Sequence, residues 1–291
     1  MRKRTKGEKI FSVVNGVILT LVILVCFYPV YYVLISSISD ATKLAAFTGI
    51  RYKPLGFSLE AYKRVFENPS ILGSYKNTIV YVAVGTAVNM VMTCMAAYVL
   101  TLKRLVIHKV LNKLIIFTMF FSGGMIPMFL LIKNLGMVDS MWALILPVSI
   151  NTFNMIVMRT SFEALPQSLS ESARVDGASD MRILLQIVIP LSKPVLATML
   201  LYYGVSNCNS WLNATVHLRT PALYPVQLIL REILITSNAL SMSGDMSADV
   251  IDISKTVQYA TIIVVTLPIL AVYPFLQKYF VKGMMTGAVK G

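Results

Sequence analysis

The chain has 291 residues, of which 56% are hydrophobic and only 13% charged, with a mean hydropathy of +0.72. Soluble domains carry about one-quarter charged residues, so that class is excluded. The formal net charge is +13, but the basic residues are dispersed and lack an interleaved aromatic platform, which argues against nucleic acid as a partner.

Residues 1–9 form a short basic start. Six uncharged stretches follow: Ile10–Ser39, Asn77–Leu102, Leu114–Ile132, Ser140–Met158, Pro194–Leu218 and Thr256–Gln277. About 20 apolar residues cross a hydrocarbon core about 30 Å thick. A helix also satisfies its own backbone polar groups in lipid. The expectation is an all-α membrane protein with six transmembrane helices. The first run is too long for a signal-peptide core and no small-residue cleavage site follows it, so it reads as a retained span.

Orientation follows from Lys and Arg in the loops. With both termini cytoplasmic, the inside segments hold 16 of the 26 basic residues and five of the 13 acidic ones. Arg2, Lys3 and Arg4 open the chain, Lys103 and Arg104 follow the second span, and Arg159, Arg174 and Arg182 follow the fourth. The outer loop 40–76, with six basic residues, fits that rule only as a small structured element. Cys26, Cys94 and Cys208 show no paired spacing for a disulfide or zinc site, and neither His108 nor His217 has a ligand partner at helical spacing.

Between the fourth and fifth runs lies a polar element, loop 163–194. Pro166 is placed to start a helix. Leu165, Leu169 and Ala173 recur at four-residue spacing as an apolar stripe. Gly177 follows Asp176 where a helix C-terminus wants positive φ, and Ser179 can cap the next helix. In that second helix Met181, Leu184, Leu185 and Val188 make an apolar face, closed by Pro190. The small residues Ser172, Ala173, Gly177 and Ala178 would let another surface approach the backbone.

This constellation resembles the Glu-Ala-Ala loop of bacterial ABC importer permeases, the matching residues being Glu171, Ser172, Ala173, Asp176, Gly177, Ile187, Ile189 and Pro190. Ser172 stands where Ala is usual and Ile189 where Leu is usual. The resemblance implies a type I ABC importer permease fold and a loop that docks on an ATPase subunit. The C-terminal KGMMTGAVKG resembles the tail of the smaller permease subunit of maltose-type carbohydrate importers. That likeness would place Gly287, Val289, Lys290 and Gly291 at the ATPase interface. The stretch Asn209–Leu234 resembles the branch handling complex oligosaccharides, including uronic-acid-containing fragments. The organisation expected is a cytoplasmic start (1–9), a permease domain (10–282) and a cytoplasmic tail (283–291).

No charge lies in the middle of any run, where ion-coupled carriers usually place one. The chain also lacks a G-x-x-x-x-G-K-[ST] phosphate loop. Energy is therefore expected from outside the chain: ATP and Mg in partner subunits, no cofactor in this one. No nucleophile–base pair, carboxylate pair or metal cluster assembles an enzyme. The rival class is a secondary transporter of a small polar solute, expected to show broken helices in repeated halves. Gly123-Gly124 and Pro127 interrupt the third run, with no matching break legible later. The fifth run is polar toward its outer end, where Tyr203, Asn207, Asn209, Trp211 and Asn213 suit a carbohydrate path. Asn and Ser equally glue membrane helices together. The partners expected are a second permease subunit, an ATPase dimer, an extracytoplasmic solute-binding protein docking on segment 219–255, and membrane lipid.

Overall fold

A computed structural model describes residues 5–102, 107–243, 254–267 and 270. Every regular element among them is helical. In chain order these are α1 (Lys6–Ser37), α2 (Ala41–Ala46), α3 (Glu60–Glu67), α4 (Pro69–Thr101), α5 (His108–Phe120), α6 (Met125–Asn134) and α7 (Trp142–Ile145), which runs into a 3-10 turn at Leu146–Val148. Next come α8 (Thr152–Glu163), α9 (Gln167–Val175), α10 (Asp180–Ile183), a π turn at Leu184–Val188, and α11 (Ile189–Leu191). The remainder are α12 (Lys193–Cys208), α13 (Trp211–His217), a 3-10 turn at Pro221–Leu223, α14 (Val226–Ser243) and α15 (254–267). Gly287, Val289, Lys290 and Gly291 of the C-terminal tail, the basic residues Arg2, Lys3, Arg4, Lys103 and Arg104, and the end of the last apolar run (268, 269 and 271–277) lie outside the described residues.

The chain divides into two compact units, 1–69 with 230–268, and 70–229 with 269–291. In the first unit, α1 starts with a capping box: Thr5 Oγ1 accepts from Glu8 N–H (3.3 Å) and Glu8 Oε2 accepts from Thr5 N–H (2.8 Å). None of its most apolar 18-residue window is buried. A helix that is apolar all round and unburied belongs in lipid or against a partner. Segment 40–76 carries α2, α3 and the start of α4. Arg64–Glu60 (2.8 Å) and Lys63–Glu67 (3.9 Å) offset two of its six basic residues on the exposed face of α3.

In the second unit α4 is the central helix. Its buried side chains include Thr86, Asn89, Thr93, Cys94 and Ala97, mostly small or polar groups that let neighbouring helices approach closely. The core around it gathers Met158, Phe162, Ile183, Leu184, Val188 and Met199, all buried.

Two unbroken helices, α1 and α4, are long and apolar enough to cross a membrane, or up to five spans if each of three bent pairs counts as one. The expected break in the third run is present: α5 and α6 meet at 114°. Gly124 there takes φ +90°, which a side chain disfavours. The fourth run is also broken, by 50° between the 3-10 turn and α8, although it reads as continuous in sequence. Pro147 withholds a backbone donor there, and Asn151 begins α8 afresh by accepting from Asn154 N–H (3.1 Å). A third bend, of 88°, separates α10–α11 from α12 at Ser192.

Candidate functional site

The polar loop between the fourth and fifth runs is built as a tight knob. Helix α9 ends in a Schellman motif: Ala178 N–H donates to Ala173 C=O (2.9 Å) and Gly177 N–H to Arg174 C=O (3.0 Å). Gly177 sits at φ +80° with nothing within 4 Å of the position a Cβ would take. Ser179 Oγ then caps α10, accepting from Arg182 N–H (3.4 Å), and Arg174 reaches Asp180 across the turn (3.5 Å). Pro190 cannot donate to Gln186 C=O, and its ring crowds that carbonyl. The chain answers with the π turn, in which Ile189 N–H bonds Leu184 C=O.

Ile183, Leu184 and Val188 are buried, whereas Met181 and Leu185 are half exposed. Leu165 and Ala173 pack on the core, and Leu169 stays exposed. Val175, at 87% exposure, is a bare apolar tip that composition alone did not single out. Of the residues matched to the Glu-Ala-Ala pattern, Glu171, Ser172, Asp176, Gly177 and Pro190 are exposed, while Ala173, Ile187 and Ile189, like the neighbouring Ala178, are half-buried against the core. Glu171 and Arg174 also border a cleft of about 520 Å³ with Tyr98, Arg159 and Glu163. Arg159 there pairs with Glu163 (2.9 Å) and donates to Asn112 Oδ1, which ties α8 to α5.

A second cavity, of about 580 Å³, lies at mid-run depth between α8 and α12. Asn151, Asn154, Tyr202, Tyr203, Ser206 and Asn207 contribute its polar lining, and no charged residue lines it. The break in the fourth run forms one wall, and side chains from α4 and α12 satisfy the backbone groups it frees. Asn89 Nδ2 donates to Val148 C=O (2.7 Å), and Tyr203 Oη accepts from Asn151 N–H (3.1 Å) while bonding Thr93 Oγ1 (2.7 Å). Asn207 Nδ2 donates to Asn89 Oδ1 (2.9 Å) and Thr86 Oγ1 (3.1 Å). Gly85 makes this approach possible, since a Cβ there would lie 3.0 Å from Asn207 Nδ2.

Of the five fifth-run residues read as a carbohydrate path, Tyr203 and Asn207 are thus brought to the cavity, with their polar groups engaged in helix joints. Asn209 is exposed and Trp211 and Asn213 half-buried, and none of the three lines the cavity. Asn89, Thr93, Asn151 and Asn154 were missed. Their legible signal was the rarity of amides and hydroxyls deep in uncharged runs.

On the loop joining the third and fourth runs, Asp139 takes a left-handed conformation (φ +63°). Its Oδ1 accepts from Arg219 and Thr220 N–H (both 2.9 Å) and its Oδ2 from Thr220 Oγ1 (2.6 Å). Among the described residues no cluster of three or more His, Cys, Asp or Glu could hold a metal ion.

Residues 106–286 match the family of binding-protein-dependent transport system inner membrane components. The chain belongs to that family. Protein LplC of Bacillus subtilis (strain 168) is 41% identical over 99% of this chain and 97% of its own length. The polygalacturonan/rhamnogalacturonan transport system permease protein YtcP of the same organism is 40% identical over 98% and 99%. Among solved structures, a chain of a bacterial ABC transporter involved in the import of the acidic polysaccharide alginate superposes with a TM-score of 0.85. Its identity is 32%, covering 96% of this chain and 100% of that one. The protein is therefore a multi-pass permease subunit of an ABC importer in the cell membrane. The rival secondary transporter is set aside.

Proposed function

We propose that this permease passes oligosaccharides, with uronic-acid-containing polysaccharide fragments as the favoured class. The observation that carries the reading is the mid-run cavity lined by amides, hydroxyls and tyrosine rings without a formal charge. Sugars are bound by directional hydrogen bonds together with apolar or aromatic faces, and this lining supplies both. Support for an acidic cargo comes from the relative named for polygalacturonan and rhamnogalacturonan and from the structure described for alginate import.

The importer so proposed contains this subunit, a second permease, two ATPase subunits that bind ATP and Mg, and an extracytoplasmic binding protein. The permease domain (10–282) has six spans with both termini cytoplasmic, and the tail (283–291) reaches the ATPase interface. Glu171, Ser172, Ala173, Asp176, Gly177, Ala178, Ile187 and Pro190 form the coupling knob. Its exposed Val175, Met181 and Leu185 suit insertion into a cleft of the ATPase. Closure of the ATPase pair pushes the knob, and the rigid turn hands that displacement to α12 through the bend at Ser192.

The assembled importer, reconstituted in proteoliposomes with its binding protein, tests this reading over a panel of acidic and neutral oligosaccharides. Uptake is expected to require ATP, to persist when ion gradients are collapsed, and to favour the acidic members. Uptake that survives ATP depletion and follows an ion gradient sinks the proposal.

A further inference from the structure

Among the described residues, the mid-run cavity contains one buried carboxamide that the fold leaves unmatched. Asn154 is only 7% exposed, and its backbone N–H is taken by Asn151 Oδ1. Its carboxamide makes no hydrogen bond to any described residue, yet it lines the cavity and is not sealed within the protein. Of the other lining groups, the Tyr203 hydroxyl and the Asn207 carboxamide are committed within the fold, while Ser206 is exposed. Tyr203 Oη bonds Thr93 Oγ1 and accepts from Asn151 N–H, Asn207 Nδ2 donates to Asn89 Oδ1 and Thr86 Oγ1, and Asn89 Nδ2 donates to Val148 C=O. A buried carboxamide without partners is costly, so the arrangement calls for a ligand that supplies them.

We infer that Asn154, with Asn151 beside it on the first turn of α8, is a hydroxyl-reading subsite for the translocating oligosaccharide. This rests on the reading of the chain as an oligosaccharide permease. A carboxamide offers two donors and one acceptor, the complement of two adjacent sugar hydroxyls, one accepting and one donating. Tyr202, 40% exposed and lining the same cavity, provides a ring for an apolar sugar face. No cation lines the cavity, so the pair recognises hydroxyls common to neutral and acidic sugars. It does not select the carboxylate.

The test uses the complete importer in proteoliposomes. Uptake of trigalacturonate and of its fully methyl-esterified form is measured beside ATP hydrolysis. For Asn154→Leu, trigalacturonate uptake is expected to fall roughly tenfold more than hydrolysis, so that more ATP is used per sugar. The isosteric Asn154→Asp places a carboxylate in the cavity, so it should impair the acidic trisaccharide more than the ester. It also decides the matter should the Leu variant fail to assemble. Undiminished uptake overturns the subsite, as does uptake falling in parallel with hydrolysis, or an Asp variant that is indifferent to esterification. A wild-type importer that moves no oligosaccharide overturns the functional reading itself, and the subsite with it.

Discussion

Gly177 and Asp139 both hold positive φ, for different reasons. At Gly177 the space around the missing Cβ is empty, so Gly177→Ala meets only the backbone penalty of about 1 kcal/mol. Gly177→Trp adds bulk for which this subunit leaves open space, and which would obstruct an ATPase docked as proposed. Alanine should therefore lower thermal stability slightly and keep transport, whereas tryptophan should abolish ATP-coupled uptake while the subunit still inserts. Equal transport by the two variants would remove the knob from the coupling interface. Asp139 instead uses its conformation to reach Arg219 and Thr220. The Thr220 hydroxyl, then the Arg219 and Thr220 amides, hold its carboxyl below the usual carboxylate range. A depressed folded-state pKa means stabilisation that is complete above the ordinary value of about 3.9 and lost as pH falls through the depressed one. Asp139→Asn still tolerates the left-handed backbone and still offers Oδ1 to the amides. It is expected to flatten the acid limb of a thermal-stability profile below about pH 4. An unchanged acid limb would show that the clamp does not contribute.

At the scale of elements, the broken fourth span is the feature with most consequence. A break at membrane depth leaves carbonyls and amides with no water to take them, so the cost must be met by side chains or a lined cavity. Asn89 takes Val148 C=O and Tyr203 takes Asn151 N–H. Tyr203→Phe removes that acceptor while keeping the ring, and is expected to destabilise the subunit by about 1–3 kcal/mol, read as earlier thermal unfolding of the purified complex. No loss of stability would mean that the break is satisfied in some other way. The π turn shows the same economy in the polar loop. Pro190 lacks the N–H that would bond Gln186 C=O, and Ile189 N–H bonds Leu184 C=O instead.

Across the whole molecule, apolar run length sufficed to read an all-helical membrane protein with a polar loop between two apolar runs. The spacing Glu171-Ser172-Ala173 to Gly177 to Pro190 placed that knob in its family. The cap at Ser179 and the turn at Gly177 were legible because each depends on local backbone chemistry within five residues. The break at Ser149–Asn151 was not, because its partners Asn89 and Tyr203 lie 59 and 52 residues away along the chain. The polar end of the fifth run was legible as polar only. Whether Asn207 faces cargo or another helix is a matter of which surface packs against it.

The sequence by itself determined the class, the all-helical character and the turn at Gly177, since hydropathy and φ preferences act locally or along a single helix. Tertiary structure alone decided the interior. By bringing α4, α8 and α12 together it committed Asn89, Tyr203 and Asn207 to holding a broken span. It left Asn154 facing the cavity with its carboxamide unmatched, because a polar group's use at membrane depth depends on whether another chain segment reaches it.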